Sequence, residues 1–117
     1  MRIEVDGVEH LIANLEAYAR EVDEDVADVV EETLYEIQAN AKLRAPVDTG
    51  HLKRNIKVDV APNRKSGSVY VDKEDVEYVE HVEHGTRYQQ AQPFLFPAAE
   101  EKRNDLNDEI QRRINRT

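Results

Sequence analysis

Residues 2–6 alternate, with Ile3 and Val5 on one side and Arg2, Glu4 and Asp6 on the other, which predicts a short strand closed by an Asp6-Gly7 turn. From Val8 to Arg44 the chain has neither glycine nor proline, and Val8, Leu11, Ile12, Leu15, Val22, Val26, Val29, Val30, Leu34, Ile37 and Ala41 recur mostly at steps of three and four. That period predicts a helix over 8–44, about 55 Å long if continuous. The weak helix formers Asp23 and Asp25 allow a break near Glu21–Asp25. Ala45-Pro46 ends the helix, because a residue before proline is pushed out of helical geometry.

Val47-Asp48-Thr49-Gly50 reads as a turn, in which Asp48 or Thr49 offers a cap to a short helical turn through Arg54. Ile56, Val58 and Val60 alternate with Lys57 and Asp59, and Val69, Tyr70 and Val71 make the return strand. The polar stretch from Pro62 to Gly67 joins them in a projecting hairpin. Val76, Val79 and Val82 are spaced by three ahead of Gly85, which favours a short helix over 75–84 with a strand as the alternative. Thr86 to Leu95 reads as extended, with Pro93 confining it to a strand edge or end. Pro97 suits the first turn of a last helix to about Arg116, with a narrow stripe of Ala99, Leu106, Ile110 and Ile114. The chain therefore divides into a strand or arm at 1–7, a long helix at 8–44, a sheet region at 55–96 and a helix at 97–116. Together they make one α+β domain: two helices on a small, mainly antiparallel sheet.

Composition narrows the function. The 117 residues carry 16 Lys+Arg against 25 Asp+Glu, a formal net charge of −9. That balance argues against a free-standing nucleic-acid clamp, whose affinity would come from cations on phosphates. With no cysteine, disulfide scaffolds, thiol catalysis and cysteine-based zinc sites are excluded. No window approaches about 18 uninterrupted apolar residues, so no membrane span is expected, and the first residues have no apolar core of a secretory signal. Acidic residues gather at Glu21, Asp23, Glu24, Asp25, Asp28, Glu31, Glu32 and Glu36. They form either a solvated helix face or a surface for a basic partner, the latter making the chain a helical interaction adaptor.

Candidate chemistry is sparse. Asp48-Thr49-Gly50 has the letters of an aspartic-protease turn, and a small chain could supply one carboxylate to a dimeric site. Its context, after Ala-Pro at a helix end and in a chain with four glycines, suits a structural turn better. His81 and His84 share a helical face beside Glu80 and Glu83, yet the spacing His-Glu-x-x-His is absent, so packing or surface roles are expected. There is no nucleophile elbow, phosphate loop or dinucleotide fingerprint. No catalytic, metal or cofactor-binding residue is assigned and no cofactor is expected.

Three segments in order carry more meaning: Ala45-Pro46-Val47-Asp48-Thr49-Gly50-His51-Leu52-Lys53-Arg54-Asn55-Ile56, then Tyr78-Val79-Glu80-His81-Val82-Glu83-His84-Gly85-Thr86, then Gln92-Pro93-Phe94-Leu95-Phe96-Pro97-Ala98. Over about residues 25–115 the chain resembles the small neck proteins of tailed bacteriophages of the siphovirus type, called head–tail connector, tail-completion or tail-component proteins. It departs from their pattern at His84, where Phe or Tyr is frequent, and at Asn55, where Ser is common.

The resemblance implies a structural protein without catalysis. It implies a ring, of six subunits, at the junction of a head connector or adaptor with tail-tube or tail-terminator proteins. DNA would pass through its lumen without sequence-specific binding, in a virion assembled in the host cytoplasm. Pro46, Asp48, Thr49, Gly50, Leu52, Glu83, Gly85, Thr86, Pro93, Phe94 and Pro97 are the motif residues, expected to hold the fold or an interface. In such a ring, Asn63, Arg64, Lys65 and Ser66 are candidates for the subunit contact, and Val69–Val71 for pairing across a subunit edge.

Overall fold

A computed structural model describes residues 1–7, 20–46 and 50–115. Strand β1 (Arg2–Asp6) is followed, among these residues, by the long helix α1 (Arg20–Arg44) and the short helix α2 (His51–Arg54). Strands β2 (Lys57–Val60) and β3 (Ser66–Tyr70) come next, then α3 (Val79–His84) and the C-terminal helix α4 (Leu95–Asn115). The architecture is α+β, as the periodicities predict. The expected helical residues 8–19 lie outside the described part of the chain.

The sheet has the order β1-β3-β2, antiparallel throughout. Ile3 faces Val69 and Val5 faces Gly67 across one ladder, while Val58 pairs with Val69 across the other. Beyond the strand ends, Val71 N–H donates to the Met1 carbonyl at 2.9 Å. This order overturns one expectation. Val69 and Tyr70 lie in the central strand with a neighbour on each side, so they have no free edge to offer another subunit.

Helix α1 lies against all three strands and against α4. Its stripe of Val26, Val29, Val30, Leu34, Ile37 and Ala41 is buried, meeting Ile3, Val5 and Val69 of the sheet and Ala99, Leu106 and Ile110 of α4 in one core. A stripe facing two neighbours must be broad. It carries the helix through Asp23 and Asp25 without the anticipated break, because tertiary burial outweighs a propensity deficit of a few tenths of a kcal/mol per residue. The helix packs tightly on the sheet at Gly67, where a Cβ would sit 2.5 Å from Leu34 Cδ1 of α1 and 2.5 Å from the Asp59 carbonyl of β2. A larger residue there would clash with the β2 backbone beside it and force Leu34 of α1 to move.

The sheet is smaller than the sequence suggests. Its strands end at Tyr70, and the supposed strand over 86–95 and sheet region to 96 resolve into turns, α3 and an irregular loop. Thr86 and Gln89 bond to each other, with Thr86 N–H donating to the Gln89 carbonyl at 2.8 Å. Bonds closed locally in this way leave little for a sheet ladder. Helix α4 also begins two residues before Pro97, at Leu95.

Candidate functional site

Helix α3 buries Val79 and Glu83, four residues apart and so on one face. A carboxylate only 4% exposed demands compensation. It receives three hydrogen bonds from the start of α4. Glu83 Oε1 accepts from Phe94 N–H at 3.1 Å and Leu95 N–H at 2.9 Å, and Oε2 accepts from Phe96 N–H at 3.2 Å. A helix start leaves about four N–H groups without intrahelical partners. Glu83 takes three of them, and the next residue, Pro97, has no N–H to satisfy. The local residue that would normally cap, Phe94, is fully buried and has no acceptor. The helix is thus capped from another element, by an anion placed where the helix dipole favours negative charge.

Gly85 makes this corner possible. Its φ of 78° and ψ of 175° belong to a region essentially restricted to glycine. A Cβ there would come within 2.7 Å of Ala91 N. The chain loops out through Thr86, whose Oγ1 accepts from Tyr88 N–H at 3.2 Å. It returns where Gln92 N–H donates to the Val82 carbonyl at 2.8 Å. His84 stacks on Phe96 with ring centroids 5.7 Å apart, so the family's aromatic position keeps an aromatic contact here. Pro93 is exposed at the corner.

The first motif reaches the same place. Pro46 and Leu52 line a groove of about 360 Å³ with Tyr78, His81, Val82, Gln89, Gln90 and Gln92. All three sequence motifs therefore border one feature. Asp48 and Thr49 lie outside the described residues. The N-cap position of α2 belongs to Gly50, at φ 69°, with no side-chain capping bond. Leu52 is the buried residue of α2, and Asn55 Nδ2 donates to the His51 carbonyl at 2.8 Å.

The hairpin-loop candidates sit at the other end of the sheet. Asn63 Oδ1 accepts from Lys65 N–H at 2.9 Å, the Lys65 carbonyl accepts from Gly7 N–H at 2.6 Å, and Ser66 pairs with Asp6. Arg64 has a left-handed φ of 62°. Its guanidinium folds back on α1, reaching Asp28 at 2.6 Å, Glu31 at 2.9 Å and Glu24 at 3.6 Å. The bonds to Asp28 first, and then to Glu31, hold its pKa above the usual value. Part of the acidic face of α1 is thus engaged within the chain. Glu36 also approaches Lys102 of α4 at 4.0 Å.

Sequence reasoning places Glu83 in a motif but assigns it no task, and it misses the Arg64 clamp altogether. An apolar N-cap at Phe94 followed by Pro97 is the one signal that a distant acceptor is needed. Among the described residues, no group of three or more His, Asp or Glu side chains could hold a metal ion. No helix among them is long and apolar enough to cross a membrane. Lys73 pairs with Glu80 at 3.0 Å, so that carboxylate already has a cation beside the two histidines.

No curated protein and no solved structure matches the chain. One family model does, over residues 9–85, and its description reads "Bacteriophage HK97-gp10, putative tail-component". The match includes the first motif and the second as far as Gly85, and stops before the third, which Glu83 joins to them in space. On a match covering most of its length, the chain belongs to the HK97-gp10-like family of bacteriophage tail components.

Proposed function

We propose that this protein is a structural subunit of the phage neck. In this reading it forms an oligomeric ring, of six copies, between the head connector and the tail tube or tail terminator. The subunits assemble in the host cytoplasm and remain in the virion. The observation that carries the reading is the convergence of all three motifs on one groove at the α3–α4 corner. Their residues serve as a rigid frame: a buried carboxylate cap, a glycine-only bend and proline-bracketed aromatics, all preorganised for contact. The family assignment supports a structural tail component. The net charge of −9 per copy suits a channel through which DNA slides without adhering.

The test is a phage or prophage in which this gene is deleted. Filled heads and finished tails should accumulate separately in the lysate. Purified protein added back should join them, as seen by electron microscopy and recovered infectivity. Joined, infectious particles from the deletion alone would overturn the reading.

A further inference from the structure

We propose that the free edge of β2, with Tyr35 of α1 beside it, binds an extended basic segment of another protein as a fourth strand. The two outer strands of the sheet are finished differently. Antiparallel ladder bonds recur at every second residue. Beyond β1, Gly7 N–H donates to the Lys65 carbonyl, so Ile3 and Val5 turn towards β3 while Arg2, Glu4 and Asp6 turn their backbone groups outward. Helix α4 lies against that edge, and Arg103 donates to the Glu4 carbonyl at 3.0 Å. Beyond β2, Ala61 N–H donates to the Ser66 carbonyl at 2.9 Å, so Lys57 and Asp59 bond to β3 while Val58 and Val60 turn outward. Gln38 Nε2 of α1 takes the next outward acceptor, the Ile56 carbonyl, at 2.7 Å. The outward N–H and C=O groups of Val58 and Val60 have no partner among the described residues. Donors and acceptors set at the strand repeat fit an extended backbone.

The side chains around this edge define the segment further. Val58 and Val60 are half-buried against the core, on the face shared with Val69. Glu31, Tyr35 and Gln38 form one ridge of α1. Glu31 meets Arg64 of the loop after β2, and Gln38 meets Ile56 before it, so the ridge runs beside β2 with Tyr35 at its middle, 51% exposed. An added strand lays every second side chain over Val58, Val60 and Tyr35, which selects apolar residues there. Its alternate side chains face Asp59, which is exposed and has no cation among the described residues, while Lys57 is already held by Asp75 at 2.9 Å. On the helix side, Glu32 has no cation among the described residues, and Arg64 alone serves Asp28, Glu31 and Glu24. The charge left over after these pairs is negative. It selects a basic strand and opposes a second copy of this chain, which brings the same acids and a net charge of −9.

The contact needs no ring, so it is read on the isolated full chain. The probe is an end-capped peptide, Lys-Val-Lys-Val-Lys-Val, and the readout is hydrogen exchange of the chain's amides. Binding should slow exchange at Val58 and Val60 about tenfold and leave Arg2, Glu4 and Asp6 unchanged. The same peptide methylated on every backbone nitrogen should bind about tenfold more weakly, having lost its donors. Tyr35→Ala and Asp59→Lys should each weaken the unmethylated peptide about fivefold. Val58→Pro removes an outward N–H while leaving the β3 ladder intact, and should weaken it by a similar factor. Thermal midpoints close to the parent's would show that these variants remain folded. Equal binding of the methylated peptide would overturn the proposal, because charge alone would then account for it. Protection along β1 instead, or no binding up to about 1 mM, would also overturn it. So would self-association of the unliganded chain that Val58→Pro abolishes, which would assign the edge to a second copy. None of these outcomes touches the neck reading, which the deletion phage tests separately.

Discussion

Glu83 and Arg64 are built alike and matter differently. Each is one charged group gathering three partners from another element. Glu83 is buried and fixed by backbone amides, whereas Arg64 and its carboxylates are partly open to solvent, with 42% of the arginine side chain exposed. Water and salt screen the Arg64 pairs, and ordering four long side chains costs entropy. Of the Glu83 amides, those of Phe94 and Leu95 are buried and become unsatisfied donors once the carboxylate is lost. Partner number is therefore a poor guide to strength, and burial decides.

The sharpest way to break the contrast is at Glu83. Glu83→Ala should destabilise the fold by about 3–5 kcal/mol, read as a fall in the urea midpoint. Glu83→Gln keeps one acceptor oxygen but turns an NH₂ group towards an amide, and should cost about 2 kcal/mol. Equal loss in both variants would mean that the negative charge, rather than the hydrogen bonds, holds the corner. Gly85→Ala comes next, at about 2–3 kcal/mol, from the glycine-only backbone and the close Ala91 amide. A parent-like midpoint for that variant would show that the loop shifts freely. Arg64 should give the smallest effect. Arg64→Ala should shift the thermal midpoint only slightly, and the shift should fade in high salt. Arg64→Gly should be the more stable of the two, because glycine accepts the left-handed φ of 62°.

What the sequence disclosed follows the range of the interactions. Strand β1, the β2–β3 hairpin, α1 over its described residues and α4 rest on local alternation or helical period, and they fall close to the expected positions. Helix α3 also appears where the valine spacing favours it. The misses depend on distance. Glu83 meets amides 11 to 13 residues away, and Arg64 meets carboxylates 33 and 36 residues away. No window of the sequence contains such a pair as a pattern. The unbroken passage through Asp23 and Asp25 likewise depends on two neighbours covering α1 at once. At 86–95 the error came from reading proline and polar residues as a strand edge, when local turn bonds had already claimed the backbone.

The central position of β3 has a consequence for synthesis. Strand β1 is made before its partner, since Ile3 and Val5 pair with residues encoded more than sixty codons later. At about 5–20 residues per second, Ile3 and Val5 wait roughly 3–13 s before their ladder can form. The sheet then closes from both sides of one late strand. The nascent chain thus carries Ile3 and Val5 without their ladder until β3 is made, and β3 is the element whose arrival ends that exposure.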